Sequence, residues 1–165
     1  MKGRNKMTQK MKGFTLLEVT VVVAILGVMM AFAAPSLKRV MVTNQMRAVA
    51  GEWRSAFYLA QKEAIRLKRP VQLCASKNGE SCDNANDYSQ GWIVFDVNEK
   101  KVIRDYPPIH ENVVVNLGVG NGVDLIFLNN GRPPLNFVGG NLTITHKTVK
   151  GLELKLSISR AGRIQ

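Results

Sequence analysis

Histidine, cysteine and acidic residues are scarce in this chain, at two, two and twelve, against 23 lysines and arginines. The two histidines, His110 and His146, stand far apart and lack metal-like neighbours at ligand spacing, so each reads as a surface or strand residue and no metal is expected. A glycine loop shaped for phosphate is missing, as is a nucleophile elbow, and no serine is marked as activated. Internal repeats and low-complexity tracts are absent too. These absences make an enzyme the least supported class and leave no cofactor to expect. Assembly and binding functions remain.

The formal net charge is +11, and it divides unevenly: +5 over the first thirteen residues, −1 over Phe14 to Ala34, and +7 over the rest. The soluble part is therefore basic in its own right. That favours anionic partners such as nucleic acid, lipid head groups or acidic proteins; the plainer reading is a solvated basic surface.

Sixteen residues without a charge run from Val19 to Ala34, and Pro35 closes them. Counted from Phe14 the apolar stretch is 21 residues, which at 1.5 Å per residue spans a hydrocarbon core of about 30 Å. Lys2, Arg4, Lys6, Lys10 and Lys12 precede it, and the positive-inside rule keeps them cytoplasmic and sends Pro35 onward across the membrane. Three readings compete. One is an uncleaved anchor. Another is a secretory signal, because Ala31-Phe32-Ala33 before Ala34-Pro35 has the look of a cleavage site. The third explains Glu18, a carboxylate that costs roughly 2.5–3.5 kcal/mol inside an apolar span and so wants a partner. No Lys, Arg or His lies within the span. Cleavage between Gly13 and Phe14 would create an α-ammonium four residues before Glu18, able to meet that carboxylate in its own chain or in a neighbour.

Lys12-Gly13-Phe14-Thr15-Leu16-Leu17-Glu18 resembles the prepilin cleavage motif of type IV pilins and type II secretion pseudopilins. The resemblance implies cleavage after Gly13 by a prepilin peptidase, N-methylation of Phe14, and Glu18 as the assembly glutamate. The leader is longer than many in that family, and Met7 or Met11 could start it instead of Met1.

From Ser36 the chain reads as a helix to about Arg69, where Pro70 stops it. Trp53, Ala56, Phe57, Ala60, Ala64 and Leu67 fall on one arc of about 100°. Arg47, Arg54, Lys62, Arg66 and Arg69 fall on another, a basic stripe that is either a solvated face or a contact for neighbouring subunits or polyanion. Beyond Pro70 the period becomes alternating. Strands are expected at Val71–Cys74, Gly91–Asp96, Lys101–Arg104, Asn112–Leu117, Val123–Leu128, Leu142–His146 and Leu152–Ser159, with a turn signal at Gly118–Gly122. Such spacing argues for an antiparallel sheet packed on the helix. In an exported compartment Cys74 and Cys82 are expected to pair as a structural staple, their spacing being far from that of a redox C-x-x-C.

Ala60–Ile65, Pro70–Cys74, Gln90–Phe95 and Ser159–Arg163 resemble the FimT/GspH group of minor pilins and minor pseudopilins. The fold implied is α+β and pilin-like: a long N-terminal helix, transmembrane in its first half and amphipathic in its second, packed against an antiparallel β-domain. It divides the chain into a cleaved leader (1–13), a transmembrane and filament-core helix (14–34) and a periplasmic domain (35–165), with the amphipathic helix at 35–69 and a β-rich part at 70–165. A single-pass inner-membrane protein that enters a pilus or pseudopilus follows, with other pilin subunits as partners. FimT-like members bind double-stranded DNA through a C-terminal G-R-x-R motif, which points here to Arg160, Gly162 and Arg163 in a tail either able to bend toward phosphate or frayed in solvent. Gln165 stands where the second arginine of that motif would be. The rival reading is a GspH-like pseudopilin serving type II protein secretion; a plain secreted or anchored binding protein is the alternative outside the family.

Overall fold

A computed structural model describes residues 13–83, 85–119 and 125–165, with the side chains of 31–35 outside the description. The leader therefore lies outside the described residues, except for Gly13.

The first helix, α1, runs over Leu16–Leu67, a continuous 52 residues. Thr15 caps it: the Glu18 amide donates to Thr15 Oγ1 at 3.2 Å, and the Val19 amide donates to the Thr15 carbonyl at 3.2 Å. Thr15 thus holds the N-cap position and Glu18 the N3 position, with the carboxylate in the first turn at the positive end of the helix dipole. At the far end Lys68 adopts a left-handed φ of 52° and Pro70 follows, which ends the helix two residues earlier than its sequence pattern suggests.

The chain divides into two compact units at Arg39 and Val40. In the first unit the described side chains of the helix are all exposed, Leu16 to Met30, although almost all of them are apolar. No helix among the described residues is long and apolar enough to cross a membrane; the apolar run of the sequence continues through residues 31–34, whose side chains are outside the description.

In the second unit the helix has a buried face. Val42, Met46, Val49, Ala50, Trp53, Ala56, Phe57, Ala60 and Ala64 are buried, and Leu67 is partly so. They recur at three- and four-residue steps, which is the stripe a helix lays on a sheet. The Trp53 ring lies 5.6 Å from Phe57 and 6.4 Å from Tyr88, while Phe57 meets Phe127 edge-on at 4.9 Å. Ala56, Ala60 and Ala64 leave room for these rings.

Seven strands follow: β1 (Val71–Ala75), β2 (Trp92–Asp96), β3 (Lys101–Tyr106), β4 (Val113–Val119), β5 (Leu125–Phe127), β6 (Gly140–His146) and β7 (Glu153–Ile158). All seven strand positions read from the sequence are occupied, but the pairing is richer than one sheet. A four-stranded sheet has the order β3-β2-β1-β5, and a three-stranded sheet the order β4-β6-β7, each antiparallel throughout. The glycine-rich stretch after β4 does not close a hairpin with β5: β4 pairs with β6, and β5 pairs with β1. Alternation specifies which faces are buried, not which strand lies alongside. Tyr88 links the sheets, its amide donating to Val115 of β4 at 2.8 Å and its hydroxyl to Leu73 of β1 at 3.2 Å.

Candidate functional site: the C-terminal turn and the basic helix face

The tail is neither frayed nor free to bend. The Ser157 and Gln165 amides donate to each other's carbonyls at 3.1 and 2.9 Å, and Ser159 N and Gly162 N close the turn between them on Arg163 O (2.8 Å) and Ser159 O (2.9 Å). Ser159 Oγ accepts from the Arg163 amide at 3.1 Å. Gly162 is the reason the turn can form. It holds φ +69°, and a Cβ there would sit 2.6 Å from Pro133 Cδ. Its carbonyl accepts a 2.7 Å hydrogen bond from Gln61 Nε2 of α1, which ties the C-terminus to the helix.

A second glycine does the same for the loop after β5. Gly131 has φ +72°, and a Cβ would meet Ile65 Cδ1 at 2.7 Å. The left-handed φ favours glycine there, and any side chain would have to displace Ile65. The turn is closed by the Leu128 amide on Arg132 O, at 2.8 Å, and by the Arg132 amide on Asn130 Oδ1, at 3.0 Å. Helix, loop and tail are thereby locked together. Between them lies an open notch of about 500 Å³ lined by Tyr58, Gln61, Arg132, Ala161, Gly162 and Arg163.

Arg160 is separated from Arg163 by the turn. It lines a different notch of about 510 Å³, at the ends of β6 and β7 with Gly139, Gly140 and Ser159. Arg132, Arg160 and Arg163 are exposed, and none has a carboxylate partner among the described residues.

The basic helix face is only partly available. Arg47, Arg54 and Lys62 are exposed. Arg66 is held by Glu63, with Nη2 to Oε2 at 2.6 Å, and this hydrogen bond raises its pKa above the ordinary arginine value. Arg69 lies past the helix end, not on its stripe. Its Nε is 2.8 Å from Asp96 Oδ2 and its Nη1 is 2.6 Å from Glu99 Oε1. The hydrogen bond it donates to Glu99 leads the causes that raise its pKa. Asp96, buried at the end of β2, also accepts from the Asn98 and Glu99 amides at 3.1 and 3.2 Å, so Arg69 is a clamp between the helix end and the β2–β3 turn. The spacing of cations shows a stripe; it does not show where carboxylates neutralise it.

Tyr58 and Arg132 join the tail only in the folded chain. Tyr58 had a visible signal: at 100° per residue it falls midway between Arg54 and Lys62, one turn from each. Arg132 had none, because only the folded loop brings it to the tail.

Other sequence-singled residues have structural settings. Cys74 and Cys82 form a disulfide, with Cα atoms 5.5 Å apart. Their loop is further tied by Asn78 Oδ1, which accepts from the Glu80 and Ser81 amides at 3.0 Å each. His146 ends β6 buried, its Nδ1 accepting from the Thr148 and Val149 amides at 3.3 Å, and His110 Nδ1 accepts likewise from Asn112. Among the described residues no cluster of three His, Cys, Asp or Glu side chains could hold a metal ion. Gly13, Phe14 and Glu18 are exposed at the helix start.

The prokaryotic N-terminal methylation motif matches residues 8–34. The type IV minor pilin FimU of Pseudomonas aeruginosa is similar in structure with a TM-score of 0.59 and 21% identity, over 74% of this chain and 88% of that one. The minor pseudopilin EpsH from the type 2 secretion system of Vibrio cholerae is similar with a TM-score of 0.53 and 11% identity, over 73% and 94%. At such identities the likeness is one of fold: a long N-terminal helix and antiparallel sheets. No curated protein matches the chain. The family of the type II transport protein GspH matches residues 49–162, most of the chain, and to that family of pilin-like and pseudopilin-like subunits the chain belongs.

Proposed function

We propose that this chain is a minor type IV pilin that binds double-stranded DNA through its C-terminal turn. In this reading a prepilin peptidase cuts after Gly13 and Phe14 is then methylated. Phe14 to Ala34 spans the inner membrane until the subunit joins its copies and relatives in a filament, with the domain from Pro35 onward in the periplasm. Glu18 supports the first turn of the lone subunit and meets a neighbour's terminal ammonium in the assembly. The chain acts by assembly and binding, without a catalytic step.

The observation that carries the DNA reading is the closed turn holding Arg160 and Arg163 exposed and without carboxylate partners among the described residues. Guanidinium forks suit phosphate oxygens, and a turn already ordered loses less entropy on binding than a loose tail. Gln165 supplies no charge where the related motif has one. A second reading, a minor pseudopilin of type II secretion, draws on the GspH family match and on EpsH; there the same turn would face protein.

The test is binding of duplex DNA by the full-length protein in non-ionic detergent at two salt concentrations. Affinity is expected to fall with salt, and Arg163→Ala and Arg160→Ala are each expected to weaken it and to lower the salt slope by about one. No binding at low salt, or binding indifferent to both substitutions, rejects the DNA reading and leaves the pseudopilin.

A further inference from the structure

We infer that the notch between α1, the β5 loop and the tail is a seat for an unpaired nucleotide, so that the C-terminal turn grips single-stranded DNA more tightly than duplex. The inference rests on the DNA reading above and deepens it.

Its centre is Tyr58. The ring is 41% exposed on the helix surface, whereas Trp53, Phe57, Tyr88, Trp92 and Phe127 are buried and Phe95 and Tyr106 are half-buried. An exposed tyrosine alone means little. This one has a cation on each side: Arg54 and Lys62 lie one helical turn away along α1, both exposed, while Arg132 and Arg163 line the same notch from the loop and the tail. The nearest carboxylate on this stretch of helix, Glu63, is engaged by Arg66. The wall behind Tyr58 is rigid. Phe57 packs edge to face on its ring at 5.7 Å, Gln61 is held on the Gly162 carbonyl, and left-handed glycines fix the two turns that carry the arginines.

Phosphate contacts need only the arginines. An aromatic face at their centre adds something that duplex DNA cannot use, since its bases are stacked on one another and reaching one requires unstacking. An unpaired strand offers each base as a flat π-face. A ring set among cations then binds by stacking, with the phosphates neutralised on either side. The notch, about 500 Å³ and open to solvent, has the size class of a small-ligand site. Gln61 Nε2 gives one of its two hydrogens to the Gly162 carbonyl.

The experiment compares a labelled thymidine oligomer with a duplex of equal length, by fluorescence anisotropy, on the full-length protein in non-ionic detergent. The oligomer is expected to bind more tightly. Tyr58→Ala is expected to weaken oligomer binding about tenfold and leave duplex binding unchanged. Tyr58→Phe, which keeps the ring and the packing, is expected to retain the oligomer preference. Arg132→Ala is expected to weaken both ligands. Thermal unfolding of each variant checks that the domain is intact. Duplex binding that depends on Arg163, together with oligomer binding that is weaker or indifferent to Tyr58→Ala, overturns this inference and leaves the DNA reading standing. Failure of both ligands to bind overturns the two together.

Discussion

From Leu16 to Met30, α1 carries apolar side chains all round, and every one is exposed; from Val42 to Ala64 it carries one apolar face, and that face is closed over by sheets. The two stretches share a helix and a taste for apolar residues, but their partners differ in kind. A face about 100° wide can be covered by elements of the same chain. A helix apolar on all sides needs a surrounding medium, either lipid or other helices. The first stretch is therefore built for surroundings the chain does not supply, and the second completes a core within it.

That contrast can be broken by substitution. The largest effect is expected at Trp53, fully buried between Phe57 and Tyr88. Trp53→Ala should cost about 3–5 kcal/mol in urea unfolding, as a large-to-small change in a packed core does. Val23→Ala, in the exposed stretch, should leave the same transition where it was; a comparable shift there would show that the first stretch is packed after all. A smaller effect is expected from the staple that only the globular part has. Cys82→Ser should lower unfolding stability by about 2–3 kcal/mol, and a reductant should do the same to the native chain but nothing to the variant. The smallest concerns the exposed stretch itself, which relies on local interactions. Thr15→Ala removes the acceptor of the Glu18 amide and should loosen the first turn by about 1 kcal/mol, read as faster hydrogen exchange at that amide. Unchanged exchange would mean the turn does not depend on its cap.

Much of the architecture was legible along the chain. The helix stripe at Trp53, Ala56, Phe57, Ala60 and Ala64 and the seven strand positions follow from periods of 3.6 and 2, which act over neighbouring residues. The division into two sheets was not legible. Gly118 to Gly122 looks like a hairpin turn in any sequence, and only the competition among distant strands sends β4 to β6 and β5 to β1. The tail followed the same rule. Arg160, Gly162 and Arg163 were visible as residues, but whether they fray or lock depended on Gln61, about a hundred positions earlier, and on Pro133. Arg69 shows the reverse case: it counted as part of a basic face until Asp96 and Glu99 folded against it.

By itself the sequence determined what is local or additive: the charge asymmetry ahead of the apolar run, the burial periods and the stop before Pro70. Each depends on residues within a turn or two of one another, or on sums over the chain. Tertiary structure decided which strands pair, which cations keep their charge exposed, and how the C-terminal turn sits beside Tyr58 and Arg132. Those outcomes depend on groups far apart in sequence coming within a few ångströms. A left-handed glycine with no room for a side chain, at 131 and again at 162, is what lets them come that close.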